Sequence, residues 1–276
     1  MPELPEVETT CNGIRPYVEA QHITKFTIRN GRLRWPVEPH LVNTLSNTLI
    51  QSVTRRGKYI LLNTAKGVLM IHLGMSGNLR ILPASTEHIK HDHIDIVLSN
   101  QRVLRLNDPR RFGSVLWHPV EQGEIENHKL LCKLAPEPLS MEFNEAYLYQ
   151  KIQSKRVAIK KLIMNNQIIV GAGNIYANEA LFKIGIHPLT LGKDLSKFEC
   201  QQLVIQIKKI LEASIKQGGT TLKDFLKPDG KPGYFEQALN VYGRHEQPCT
   251  QCGTSIAKIV IDQRASFFCP NCQPLK

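Results

Sequence analysis

No run of 18 apolar residues occurs in the 276-residue chain, so no segment qualifies as a membrane-spanning helix. Internal repeats and low-complexity tracts are also absent, and a repeat architecture does not account for the length. Acidic side chains are in short supply, with 24 Asp and Glu against 35 Lys and Arg and a pI near 9.4. That deficit points to a polyanionic partner, with nucleic acid ahead of membrane because no basic amphipathic helix stands out. A secretion signal is missing too: the first residues are acidic and proline-rich, and the expected location is the cytoplasm. The seven cysteines lack the layout of a disulfide framework, since Cys11, Cys132 and Cys200 are scattered and the rest form two tight pairs. An odd total without a signal fits a reducing compartment. What is present is enough for a folded protein: hydrophobic residues make up 42%, and the length allows two or three domains.

The opening "MPELPEVETT" has the marks of a helix start. Pro5 suits the first turn, where its missing N–H costs nothing, and Glu6 and Glu8 complement the positive end of the helix dipole. Val7, Cys11, Ile14 and Val18 then recur at helical spacing, predicting a buried stripe over residues 5–18. Helix initiation leaves Pro2 and Glu3 unexplained.

Residues 20–118 read as β-rich. "HITKFTIRN", "KYILLN", "VLMIHLGM", "HIDIVLSN" and "RVLRL" have the alternation and β-branched content of strands, with "TAKG" and "SNQR" as hairpin turns and a short helix between 36 and 46. From 143 to 215 the period turns helical, predicting helices at "NEAYLYQKIQ", "VAIKKLIMN", "NIYANEALFKIG" and "SKFECQQLVIQIKKILEASIK". "APEPL" at 135–139 reads as a linker, and "QGGTTLKDFLKPDGKPGYF" after Lys216 reads as a mobile loop.

"CTQC" (249–252) and "CPNC" (269–272) are two knuckles with sixteen residues between them, long enough for a β-hairpin that brings them together. Four thiolates suit tetrahedral Zn²⁺, so Cys249, Cys252, Cys269 and Cys272 form a zinc-ribbon pattern binding one ion. With all four positions filled by protein the site is structural, and metal binding drives folding of so small a region. Redox activity of a lone C-x-x-C is the weaker alternative. Between Ala146 and Asn178 there is no acidic residue, while Lys151, Lys155, Arg156, Lys160 and Lys161 fall within eleven positions. One-signed charge of this kind suits phosphate contacts, although an ordinary basic surface gives the same pattern. "VGAGNIYANEA" then puts glycines and Asn174 at a helix start, where exposed N–H groups can cradle an anion.

In one order over the whole chain stand "PELPEVE", "RRGKY" (55–59), "HLGMSG" (72–77), "DPRRFG" (108–113), "VGAGNIYANEALF" (170–182), "GGTTLKDF" (218–225) and the paired cysteines. This set resembles the bacterial formamidopyrimidine-DNA glycosylase family, also called 8-oxoguanine DNA glycosylases. The sister branch of endonuclease VIII type opens with PEGPE and lacks the full DPRRFG element, so the likeness is to the oxidised-purine branch. Gly57, before the lysine, is a departure at no principal catalytic position.

The resemblance implies an α+β fold: an N-terminal β-sandwich with a long N-terminal helix, a helical helix–two-turn–helix domain, and a C-terminal zinc-ribbon β-hairpin. The corresponding domains are 1–134 (catalytic), 135–216 (DNA-binding), 217–242 (lesion-capping loop and connection) and 243–276 (zinc finger). It implies a monomeric, bifunctional DNA glycosylase and abasic-site lyase, nucleoid-associated, acting on duplex DNA that holds 8-oxoguanine, formamidopyrimidines or abasic sites. Met1 is removed, Pro2 forms a Schiff base with the sugar, and β,δ-elimination cleaves the strand. Glu3 is the proton donor to the sugar ring oxygen, Glu6 holds the terminus, Lys58 assists base departure, and Arg264 stands at the lesion phosphates. Met75 fills the vacancy left by the rotated nucleotide, Phe112 wedges into the stack, and Arg110 faces the orphaned base. His91 and Lys155 match backbone contacts, with Lys160, Asn174 and His72 as further phosphate candidates. The residues alone leave other options: core packing for Met75 and Phe112, a salt bridge for Arg110, and a second metal site at His88, His91 and His93. At the level of function, an endonuclease VIII-like glycosylase for oxidised pyrimidines, a non-catalytic zinc-ribbon protein and an N-terminal-proline tautomerase are the rivals.

Overall fold

Pro5 and Glu6 stand in the first turn of α1 (Leu4–Val18), and Glu3 is its N-cap in an extended conformation. Val7, Cys11, Ile14 and Val18 are all buried, as the spacing predicted, and Leu4 is buried with them. Each such side chain removed from water contributes roughly 1.5–3 kcal/mol, which outweighs any shortfall of local helix propensity. The computed structural model describes residues 2–218 and 239–276, and they divide into two compact units: the chain up to Cys132, and Lys133–Lys216 together with 239–276.

In the first unit α1 leads into β1 (His22–Ile28), the single turn α2 (Leu41–Thr44), and then β2 (Thr48–Arg56), β3 (Tyr59–Thr64), β4 (Gly67–His72), β5 (Asn78–Pro83), β6 (Asp92–Leu98), β7 (Arg102–Asn107) and β8 (Ser114–Pro119). All pairings are antiparallel, in the order β5-β7-β6-β1-β2-β3-β4-β8. Only His22↔Leu49 and Ile23↔Thr48 join β1 to β2, so the sheet breaks there into two four-stranded halves. Their inner faces share one core with α1: Leu62, Leu69 and Val115 from one half meet Ile94, Leu104 and Leu106 from the other. Three strands, β2, β5 and β8, were not singled out by the sequence. In β2 the alternation is present but diluted by polar residues, since only Thr48, Ile50 and Val53 are buried.

The second unit holds α3 (Glu145–Ile152), α4 (Ile159–Ile163), α5 (Asn174–Lys183), α6 (Lys197–Lys216) and the hairpin β9 (Ala257–Ile261) and β10 (Arg264–Phe268). All four helices lie within the spans that periodicity predicted, trimmed at their ends where caps intervene. Asn144 caps α3 by accepting the Tyr147 N–H at 3.0 Å. The hairpin turns on Asp262 and Gln263 with φ of 50° and 61°, a two-residue loop with both centres left-handed. A small core of Phe182, Val241, Ile256 and Phe267 fastens this hairpin to α5. Glu179 of α5 is buried, and its carboxylate accepts the N–H groups of Asn240 (2.9 Å), Val241 (3.0 Å) and Tyr242 (3.0 Å). Most of the stretch expected to cap the lesion, 217–235, lies outside the described residues, as does Met1.

Candidate active site

Pro2 and Glu3 are both buried at the head of α1. The Glu3 N–H donates to Glu6 Oε2 at 2.8 Å, and Glu6 is itself fully buried. A carboxylate turned back onto the N-cap satisfies one of the donors that a helix start leaves open, and the dipole there favours its charge. The backbone that follows Pro2 is thereby fixed before the helix begins.

Lys58 occupies the tight turn between β2 and β3, next to Gly57 at φ 57°. Arg55 braces that turn: Nη1 donates to the Gly57 carbonyl at 2.8 Å and Nε donates to Glu8 Oε2 of α1 at 2.6 Å. The Arg55 side chain is only 10% exposed, so the pair is worth more than a surface contact and costs more to break. One ion pair therefore fixes the Lys58 turn against the helix that carries Pro2 and Glu3.

His72 ends β4, with its ring 4.9 Å from that of Tyr59 and Nδ1 accepting the Gly74 N–H at 2.9 Å. Burial, and then the positive charges of Lys58 and Arg34, push its pKa down to about 4. The imidazole is neutral near pH 7, and because Nδ1 accepts, its proton sits on Nε2. Such a ring can donate one hydrogen bond to a phosphate but brings no charge to it.

Beyond His72 the "HLGMSG" and "DPRRFG" loops lie against each other. Gly74 has φ 63°, and a Cβ there would stand 2.3 Å from the Phe112 carbonyl carbon, so only glycine fits. Met75 is 37% and Phe112 45% exposed, which sets aside core packing for both. Arg110 lays its guanidinium over the Phe112 ring, 4.8 Å from the centroid. With His72, Arg34 and Arg111 these side chains line a recess of about 760 Å³. His91 precedes β6 at φ 73°, its ring 6.3 Å from that of His93. His93 is buried and its Nε2 lies 2.9 Å from the Asp108 carbonyl, and among the described residues the only cluster able to hold a metal is the four cysteines.

In the second unit Lys151, Lys155, Lys161 and Arg264 line a recess of about 790 Å³. Lys155 and Arg264 are exposed, as phosphate ligands must be. Lys160 is not: it is 1% exposed, and its Nζ donates to the Ala265 carbonyl (2.9 Å) and the Ser266 hydroxyl (2.6 Å). Asn174, at the first turn of α5, donates to the same Ala265 carbonyl at 3.0 Å. The sequence read both as phosphate candidates; for Lys160 that expectation gives way, because a buried ammonium spends its donors on the hairpin. The shared target adjoins Arg264, so α4 and α5 together set where that arginine stands. No local pattern signals this, since the bonds span more than ninety positions of chain.

The Sγ atoms of Cys249, Cys252, Cys269 and Cys272 all lie within 4.8 Å of one another. Zn–S bonds of about 2.3 Å in a tetrahedron demand sulfurs somewhat under 4 Å apart, so the cluster fits one structural zinc ion. The Gln251 and Cys272 N–H groups turn toward the Cys249 and Cys269 sulfurs (3.4 Å each), which suits thiolates. Gln273 closes the second knuckle, accepting the Cys269 N–H at 3.0 Å and donating to the Ile186 carbonyl at 2.8 Å. Arg34 and Gln273 were not singled out from the sequence, and Glu8 and Arg55 entered only as a helix-dipole complement and a motif member; each is a common surface type.

Three family models cover most of the chain: the formamidopyrimidine-DNA glycosylase N-terminal domain matches residues 1–115, the H2TH domain of the same enzymes 134–226, and the zinc finger found in FPG and IleRS 246–275. A formamidopyrimidine-DNA glycosylase of Hydrogenovibrio crunogenus is 59% identical over 273 residues, covering 99% of this chain and 96% of that protein. Among solved structures, the MutM (Fpg) protein of Thermus thermophilus superposes with a TM-score of 0.87 at 33% identity over the full length of both chains. The Lactococcus lactis Fpg, in complex with DNA containing an abasic site, gives 0.89 at 30% identity over 99% of each.

Proposed function

Because the chain belongs to the formamidopyrimidine-DNA glycosylase family, and is a DNA glycosylase and abasic-site lyase of base excision repair, we propose that Pro2 is its nucleophile once Met1 is removed. A terminal α-amine titrates at roughly pH 7.7–8.0, so part of it is an uncharged nucleophile near neutrality. The proline nitrogen adds to C1′ of the damaged nucleoside as the glycosidic bond breaks and the base leaves. Opening of the sugar ring, with Glu3 giving a proton to the ring oxygen, yields an iminium. A secondary amine leaves that iminium no N–H proton to lose, so it stays cationic and withdraws electrons from C2′. Loss of the C2′ proton expels the 3′ phosphate, and a second elimination expels the 5′ phosphate.

What carries this assignment is the arrangement at the head of α1: a buried Glu3 held by Glu6 through its N–H, on a helix that Arg55 and Glu8 tie to the Lys58 turn. Lys58 assists base departure, and its charge adds to the burial that keeps the His72 ring neutral. Arg264 is an electrostatic stabiliser of the leaving phosphate rather than a proton donor, as the planar cation of an arginine suits. The target carbon is unreachable in a stacked duplex, so the nucleotide is rotated out. Phe112 and Met75, both exposed, take the vacated space, and Arg110 faces the partner base. Its donors match the N3 and O2 acceptors of cytosine, which favours lesions opposite cytosine. Lys155, His91, His72 and Asn174 hold phosphates; Lys160 acts through the hairpin.

These roles divide the chain as 1–134 for chemistry, 135–216 for DNA binding, 217–242 as lesion cap and connection, and 243–276 as zinc finger. No described helix is long and apolar enough to cross a membrane. We place the enzyme with the nucleoid in the cytoplasm, on the strength of its substrate.

Borohydride trapping tests the assignment. Reductant with the mature protein and an 8-oxoguanine duplex is expected to give a covalent protein–DNA band, lost in Pro2→Gly while DNA binding persists. Undiminished trapping and nicking by Pro2→Gly would remove Pro2 from the mechanism.

A further inference from the structure

Asp108 opens the "DPRRFG" loop, whose tip is exposed, yet its own side chain is wholly buried. Its bonds reach three separate stretches of chain. One carboxylate oxygen accepts the Ser76 hydroxyl at 2.7 Å, and the other accepts the Gly113 N–H at 2.8 Å. Its carbonyl accepts the Arg111 N–H at 3.1 Å and stands 2.9 Å from His93 Nε2, while its N–H donates to the His91 carbonyl at 3.1 Å. Ser76 Oγ, its proton directed to Asp108, accepts the Arg110 N–H at 3.2 Å. The segments bearing Met75 and Arg110–Phe112 thus converge on one carboxylate and one hydroxyl, and the segment bearing His91 on the Asp108 backbone.

The loop needs such a hold. Arg111, between Arg110 and Phe112, has φ 55°, a left-handed conformation that a side chain bearing a Cβ adopts only when its surroundings impose it. Ser76 and Asp108 supply that constraint from inside, by bonding the residue before Arg111 and the glycine after Phe112. A guanidinium reads cytosine only if its donors meet N3 and O2 in register. Adenine presents an amino donor at the same edge, so discrimination depends on where Arg110 stands, whereas phosphate attraction does not.

We infer that Asp108 and Ser76 are positioning residues that lock Met75, Arg110 and Phe112 into one unit, and that the choice of partner base opposite the lesion depends on this lock. The inference rests on the roles proposed above for those three side chains.

The test measures single-turnover excision of 8-oxoguanine opposite cytosine and opposite adenine by the full-length, zinc-loaded protein. Borohydride trapping on a preformed abasic site runs in parallel. Ser76→Ala removes the bridge to the Arg110 N–H; Asp108→Asn sets an amide donor against either Gly113 or Ser76. The ratio of cytosine to adenine rates is expected to narrow by about tenfold, the worth of one well-placed hydrogen bond, in Ser76→Ala. Trapping at the abasic site is expected to stay within about twofold, since that chemistry uses neither residue. Should Asp108→Asn fail to fold, Ser76→Ala decides alone. An unchanged ratio in a folded Ser76→Ala protein overturns the inference. So does an equal fall in excision opposite both bases together with trapping, which marks a merely structural role. If unaltered protein traps no DNA, the reading of Pro2 fails; if it traps but shows no preference between bases, that of Arg110 fails and the inference with it.

Discussion

A histidine kept neutral by its surroundings bears on stability. His72 takes up a proton in the unfolded chain near pH 6.5 but in the folded protein only near pH 4. Above pH 6.5 both states are neutral and the residue adds no pH dependence. As pH falls from 6.5 to 4 the unfolded state alone gains the proton, so folding stability declines through that window, by up to about 3 kcal/mol. Urea midpoints of the parent are expected to fall relative to those of His72→Gln as pH drops from 7 to 4, the variant being the flatter of the two. Parallel curves would mean that the ring is not held neutral. From the sequence, His72 was visible only as a motif member; its protonation follows from burial beside Lys58 and Arg34, a pairing made by the fold.

Within the stretch from α3 to α4, two lysines five positions apart have opposite fates. Lys155 is exposed beside the recess, whereas Lys160 is buried against β10. Lys155→Ala is expected to weaken DNA binding uniformly and to lower the slope of log K against log salt by about one. Lys160→Met is expected to leave that slope unchanged while costing about 1–3 kcal/mol of stability through loss of the bonds to the Ala265 carbonyl and the Ser266 hydroxyl. Binding titrations at several salt concentrations, with thermal melts, separate the two; an equal loss of slope in both would return Lys160 to the phosphate contacts. The hairpin that Lys160 holds depends on its metal, because its core is a handful of side chains around Phe267. A chelator is expected to release about one zinc per chain, read by a colorimetric indicator, and to abolish retardation of a DNA duplex. Full binding by the metal-free protein would contradict the structural role. Element existence was legible here: four helices and the paired cysteines announced themselves by period and spacing. The inward turn of Lys160 was not, since a run of basic residues carries no mark of which member faces in.

For the whole molecule the test is choice of substrate. A panel of duplexes is expected to show excision of 8-oxoguanine and ring-opened purines well ahead of thymine glycol, with 8-oxoguanine better opposite cytosine than adenine. Preference for thymine glycol would return the protein to the oxidised-pyrimidine branch. Intact mass of the purified protein, measured alongside, is expected to show loss of Met1, and any fraction that keeps it to be inactive. The two halves of the N-terminal sheet illustrate how far sequence carried the architecture. Alternation marked five strands, but β2, β5 and β8 escaped because β2 is diluted by polar residues and the other two do not alternate buried with exposed positions.

The sequence by itself determined the period of each long helix, the zinc ligands and the order of motifs, because local propensity, metal-ligand spacing and residue identity are properties of neighbouring positions. Only the tertiary structure decided that Glu8 braces the Lys58 turn, that Lys160 faces a hairpin carbonyl, and that Asp108 gathers three segments. Each of those is a hydrogen bond or ion pair between remote parts of the chain, and such contacts have no geometry until packing brings the partners together.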